Sequence, residues 1–291
     1  MRKLLYAFFG VLLIGKMEAA RACVVGADNY EHSLAIASTV FVGHIVRTEE
    51  AGTIQLHGRF PPEPVAEATF RVLGVLKGQP PADGKVRFRA NGYCNVELLA
   101  GQTYSIFLYG DNVVWWPNMG TTRLWQVQNI DAGRLVHQLR EQAEERVKQV
   151  EEMHRAIDDG KVHECWTLNT GAPDKDAVAK SPNIFVGHLT RTEEVEVTRV
   201  GDMPPTPVVE GSFRVLKVLR GQAPPEGKVR ASLVGTRCPL GPVPSLMPGG
   251  DYIVFIDQDN FIRGGAVFIG HYGNKWPRWL ESYGVESRNA Q

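Results

Sequence analysis

Cysteine is scarce in this chain, with four among 291 residues. None stands in a C-x-x-C pair or in a His/Cys cluster at metal-ligand spacing, so no intrinsic metal is expected. The G-x-S-x-G elbow, the H-E-x-x-H zinc motif, the P-loop and the dinucleotide fingerprint are all missing. Neither an enzyme nor a cofactor is expected on that ground. An excess of either charge is lacking too: 32 basic residues stand against 32 acidic ones, and removal of residues 1–22 would leave 28 against 31. A nucleic-acid partner requires a basic face, so none is expected. The apolar run at positions 4–15, "LLYAFFGVLLIG", has twelve residues, whereas a membrane-spanning helix needs about 20. No transmembrane segment is expected after that run is removed.

That run does fit another purpose. It follows the basic start Arg2-Lys3 and precedes Ala20-Arg21-Ala22, the small-x-small form read by a signal peptidase. Residues 1–22 therefore read as an export signal, and the product as extracytoplasmic, secreted or periplasmic. Cleavage after Ala22 would make Cys23 the first residue. Lipid attachment at Cys23 fits less well, because lipoprotein signals usually carry a large aliphatic residue three places earlier, where this chain has Ala20.

The chain is a tandem duplication. "FVGHIVRTEE" at 41–50 returns as "FVGHLTRTEE" at 185–194 with eight of ten positions identical. "FRVLGVLKGQPPADGKVR" at 70–87 returns at 213–230 with thirteen of eighteen identical, and "GQTYSIFLYGDN" at 101–112 answers "GGDYIVFIDQDN" at 249–260. The cysteines follow the same plan: Cys23 and Cys94 are 71 residues apart, Cys165 and Cys238 are 73 apart. Cys165 lies in mid-chain and cannot become a processed terminus. The simplest role common to Cys23 and Cys165 is a disulfide, to Cys94 and Cys238 respectively, worth up to ~4 kcal/mol in the chain-entropy model. Such bonds need an oxidising compartment, consistent with export.

Within the first repeat, β-branched and aromatic runs at 40–48, 67–77, 85–90, 103–109 and 123–128 are separated by Gly, Pro, Asn and Asp, the punctuation of strands. In "KVRFRA", Val86, Phe88 and Ala90 alternate with Lys85, Arg87 and Arg89, which predicts one buried face and one wet face. Five strands per repeat suit a small Greek-key barrel of the OB type. Between the repeats, Leu135, Leu139, Ala143, Val147, Val150 and Met153 recur every three or four residues, with Asp131 placed to cap the start and Gly160 the end. The expected organisation is mainly β: a signal at 1–22, a first barrel at 23–129, a long amphipathic helix at 130–160, and a second barrel at 161–291 ending in a short helix near 276–284.

An early cysteine, then "VFVGHIV", "FRVLGVLKG", and a second cysteine followed by "LLAGQTYSIFLYG" together resemble the N-terminal domain of the tissue inhibitors of metalloproteinases and the related netrin-like modules. The resemblance spans nearly all of both repeats. It implies OB-type barrels, and for the first repeat an inhibitory terminus: the amine and carbonyl of Cys23 would chelate the zinc of a metalloprotease, and Val24 would fill the adjacent pocket. A catalytic zinc keeps an open position that a neutral amine can take. The sequence departs from the family in having Val25 where a Cys-x-Cys start would need cysteine, and Asn95 or Pro239 after the second cysteine of each repeat. Two functions stand on these observations: an exported metalloendopeptidase inhibitor, whose partner is a secreted zinc protease, or a non-inhibitory module binding another extracytoplasmic protein.

Further candidates are common to both halves. "GRFPPEPVAE" at 58–67 matches "GDMPPTPVVE" at 201–210, placing Phe60 and Met203 before a proline-stiffened segment, where either could anchor a partner or fold back on its barrel. His44 and His188 recur in "FVGH" without a carboxylate or cysteine at metal spacing and read as surface strand histidines. Glu49-Glu50 and Glu193-Glu194 read as solvated strand ends.

Overall fold

The computed structural model describes residues 29–54, 63–90, 97–114, 121–124, 181–198, 206–232 and 246–269, with His137, Glu141 and Ala179. These are mainly β, as the strand punctuation predicts. The signal, all four cysteines and the 276–284 segment lie outside them. So does the segment 130–160 for which a connecting helix is expected, apart from His137 and Glu141, which are helical and approach to 3.3 Å.

The first repeat begins with helix α1 (Asn29–Ile36), which the sequence reading did not anticipate. Tyr30 and Leu34, one turn apart, face the sheet and pack with Val40, Val42 and Phe107. The Lys77 ammonium donates to the carbonyls of Leu34 and Ala35 at 3.0 and 2.9 Å, satisfying C-terminal acceptors of the helix with a cation. Then come β1 (Thr39–Ile54), β2 (Glu63–Lys77), β3 (Lys85–Arg89), β4 (Thr103–Leu108), β5 (Val113–Val114) and β6 (Thr122–Arg123). Strand β1 pairs antiparallel with β2 along one edge and with β4 over Thr39–His44 on the other. Strand β3 pairs antiparallel with β2 and parallel with β5, where Arg87 faces Val113. The short β5 escaped the sequence reading, and of the fifth predicted run, 123–128, only Arg123 in β6 and the buried Leu124 lie among the described residues.

The second repeat runs β7 (Asn183–Thr198), β8 (Thr206–Arg220), β9 (Lys228–Ser232), β10 (Gly250–Ile256) and β11 (Ile262–Phe268). Strand β7 pairs with β8 and β10 as β1 does with β2 and β4. Just before β11, Phe261 makes a parallel bridge to Arg230, the counterpart of the β3–β5 contact. The Arg87 amide donates to the Asn112 carbonyl at 2.8 Å, and the Arg230 amide to that of Asn260 at 3.0 Å. All eleven strands belong to one continuous sheet.

Period-2 alternation sets the cores. Val86, Phe88 and Ala90 are buried while Arg87 on the opposite face is exposed; Lys85 and Arg87 there pair with Glu67 at 2.6 and 3.4 Å. Compensation is visible between the repeats. Ala66 faces Phe88 in the first, and the equivalent Val209 faces Ala231 in the second, so a small–large pair has become a medium–small one across the same two strands. Val209 makes up only part of the volume lost where Phe88 is replaced by Ala231, so neither residue identity nor local volume is held fixed at this pair.

Gly43 and Gly187 show why "FVGH" recurs. Each lies beneath an aromatic pair, Phe41–Phe70 with centroids 4.8 Å apart and Phe185–Phe213 at 5.6 Å. A Cβ at Gly187 would sit 2.9 Å from the Phe185 ring and 3.0 Å from that of Phe213; around Gly74 nothing lies within 4 Å. Gly187→Ala should therefore lower unfolding free energy by about 1–3 kcal/mol, as overpacking does. Gly74→Ala should leave it unchanged or raise it slightly. Paired urea titrations check this, and equal midpoints for the two variants would refute the packing assignment.

Candidate functional site

The best-defined polar cluster lies where the two repeats meet. After β4 leaves the edge of β1, that edge is taken by β7, antiparallel, with Arg47 opposite Glu193, Thr48 opposite Thr192 and Glu49 opposite Arg191. Thr48 and Thr192 hold the same place in their repeats, so a local two-fold axis passes between them. Arg47 and Arg191 are likewise equivalent, as are Glu49 and Glu193. Four charges thus form a ring of alternating sign: ion pairs run along each strand, Arg47–Glu49 at 3.7 Å and Arg191–Glu193, and opposite charges face each other across the strands.

The same axis relates two histidine contacts. The His44 Nε2 lies 2.6 Å from the Glu194 carboxylate and its Nδ1 3.1 Å from the Thr103 hydroxyl. The His188 Nε2 lies 3.0 Å from the Glu50 carboxylate and its Nδ1 2.7 Å from that of Asp251. Each imidazole is therefore held by its own repeat through one nitrogen and by the other repeat through the second. The side chains of His44 and Glu194 are both about one-sixth exposed, so that contact is shielded from full solvent screening, whereas Glu50 and Asp251, the partners of His188, stand open to solvent.

Apolar exchange accompanies the polar contacts. Met247 packs in the core of the first repeat, and Ala100 in that of the second. The segments carrying them are latched by equivalent tyrosines. The buried Tyr104 hydroxyl accepts from the Leu99 amide at 3.0 Å and donates to the Glu97 carbonyl at 2.7 Å; that of Tyr252 accepts from the Met247 amide at 2.8 Å. Burial pushes both phenols well above the ordinary range, so they stay neutral donors at any physiological pH. The Gly101 amide donates to the Ile45 carbonyl and the Gly249 amide to that of Leu189, both at 2.7 Å, closing each latch onto the junction strands.

Chemically this arrangement joins surfaces. Both nitrogens of each imidazole are engaged, and among the described residues no group of three or more His, Cys, Asp or Glu could hold a metal ion. No helix among them is long and apolar enough to cross a membrane. Of the residues singled out from sequence, Cys23, Val24, Phe60, Cys94, Cys165, Met203 and Cys238 all lie outside the described residues. Two other readings need correction. His44 and His188 are strand histidines but are committed to the opposite repeat. Glu194 is a half-buried partner of His44 and Glu50, though exposed, is the partner of His188; both lie within their strands and not at the ends. The sequence signal was there, since the identical "FVGH" and "RTEE" blocks contain both members of each pair; what hid the pairing is that each histidine contacts the glutamate of the other copy. Comparison with family models, with curated proteins and with solved structures finds no match to this chain.

A double-mutant cycle tests the reciprocal contact. His44→Ala and Glu194→Ala should each destabilise by about 1–2 kcal/mol and couple by about 1 kcal/mol. His44→Ala and Glu50→Ala, which sever different contacts, should add. Equal additivity for both pairs in urea denaturation would contradict the assignment.

Proposed function

We propose that the protein is an exported, non-enzymatic protein-binding module in which two OB-type barrels, fused across their first strands, present one contact surface twice. The barrel reading is supported by the contact of third and fifth strands in each half, β3 with β5 and β9 with the start of β11, which is how a five-stranded OB barrel closes. The resemblance of both repeats to netrin-like modules fits the same reading.

One observation carries the binding function. Leu73 and Val75 are 44% and 48% exposed, and their equivalents Leu216 and Val218 are 50% and 41% exposed. Some buried positions differ between the repeats, as Ala66/Val209 and Phe88/Ala231 do, and others such as Phe41/Phe185 and Phe70/Phe213 are kept, yet these four aliphatics are unchanged although they face solvent. Packing cannot account for that identity; a contact made by both repeats can. Register shifts in both β1–β2 and β7–β8 leave Leu73 and Leu216 without a cross-strand partner, so each is a bulged residue directed away from the ladder. Bulges also blunt an edge against strand addition, so recognition would run through side chains. The flanks are basic, Arg71 and Lys77 in one repeat and Arg214 and Arg220 in the other, with no acidic residue at 71–77 or 214–220. The partner surface that matches is aliphatic at its centre and acidic at its rim.

The inhibitory alternative rests on the free amine of Cys23 and makes a different demand. Capture of extracytoplasmic proteins by the exported chain should be lost in the variant Leu73→Ser/Val75→Ser/Leu216→Ser/Val218→Ser, whose thermal midpoint should hardly move because the side chains are exposed. A retained Ala22 before Cys23 should leave capture intact. Capture unaffected by the four substitutions would end the binding proposal. Inhibition of zinc endopeptidases that the retained alanine abolishes would replace it with the terminal-chelation mechanism.

A further inference from the structure

The junction has a property that neither function requires: every charged pair across it joins non-equivalent positions, and each repeat carries both members. The first repeat holds His44 and Glu50, Arg47 and Glu49; the second holds His188 and Glu194, Arg191 and Glu193. In the observed register His44 meets Glu194, His188 meets Glu50, Arg47 faces Glu193 and Arg191 faces Glu49. Substituting one repeat for the other changes none of these identities. The axial pair is threonine facing threonine in every combination. The apolar exchange is less symmetric: Met247 enters the first core, whereas its equivalent Leu99 packs in its own core and Ala100 is the residue that enters the second, so the charged and axial pairs carry the self-complementarity.

We propose that the junction is a self-complementary, isologous interface, and that the first-strand edge of each repeat accepts the same edge of a second copy of this chain. Isologous means that one patch serves both sides of a two-fold contact, the geometry of most homodimers. Within one chain the repeats meet at an effective concentration of roughly mM, which keeps the contact intramolecular in dilute solution. Exchange between copies, first repeat with first and second with second, uses the same contacts and needs only that the internal pairing be disfavoured.

The register dictates how to disfavour it. Arg191→Glu/Glu193→Arg retains the ion pair along β7 but places like charges opposite Arg47 and Glu49 inside the chain. Between two copies the altered second repeats still match each other, and so do the unaltered first repeats. The full exported chain carrying these two substitutions should double in mass by sedimentation equilibrium at a concentration where the wild type is monomeric. The four-site variant Arg47→Glu/Glu49→Arg/Arg191→Glu/Glu193→Arg restores opposite signs at every crossing and should return to the monomer. With Thr192→Cys added to the two-site variant, the new cysteine faces its own counterpart across the dimer axis and should link the copies covalently under oxidation. A folded two-site variant that stays monomeric overturns the proposal. So does a chain whose folding the four-site variant fails to rescue, and so does a dimer that the added cysteine does not cross-link.

Discussion

The pairing of β1 with β7 about Thr48 and Thr192 is the constraint on which the rest of the molecule depends. It is short, three residue pairs by register, and would count for little as a ladder alone. Its weight comes from what it aligns. Two histidine–glutamate contacts, a ring of four alternating charges and two exchanged apolar residues all fall into place only if the register is kept. A slip of one residue would break the threonine pairing and turn Thr48 out of the interior, where its hydroxyl donates to the Leu98 carbonyl at 2.9 Å, and a slip of two would set Arg47 opposite Arg191 or Glu49 opposite Glu193. The two cores are thus completed by each other, Met247 in one and Ala100 in the other, and neither repeat is a self-sufficient unit in the usual sense of a tandem array.

This arrangement separates what the fold needs from what a partner would need. The junction occupies the far half of β1 and β7, beyond the part paired with β4 and β10. The exposed aliphatics Leu73, Val75, Leu216 and Val218 lie on β2 and β8, on strand segments that pair with the near half. Duplication therefore produces a molecule with one shared axis and two copies of a surface away from it. Bivalent presentation of that kind raises avidity for a repeated or two-fold partner without any new contact.

Much of the local structure was legible in the sequence, and the reasons are physical. Strands β1 to β4 followed from β-branched runs bounded by turn residues, and the wet and buried faces of β3 followed from strict alternation of Lys85, Arg87 and Arg89 with Val86, Phe88 and Ala90. Helix α1 was missed because it is only two turns long and Tyr30 and Leu34 give it a sparse stripe. Strand β5 was missed because Val113–Val114 is too short to show any period. The site was hidden for a different reason. His44 and Glu194 are 150 positions apart, and a scan for metal or catalytic spacing looks for neighbours within one unit. Only when the two "FVGH…RTEE" blocks are laid antiparallel does each histidine meet a glutamate.

The central claim is that both repeats fold as one cooperative body through the junction. Native-state hydrogen exchange at rising sub-denaturing urea tests it most directly, with peptides covering β4 and β10 read separately. The amides of 104–108 and 252–256 should converge on a single opening free energy and a single urea dependence, shared with those of 45–49 and 189–193. If one repeat opens at lower urea while the other keeps its full protection, the junction is a contact between two independent domains and the account is wrong.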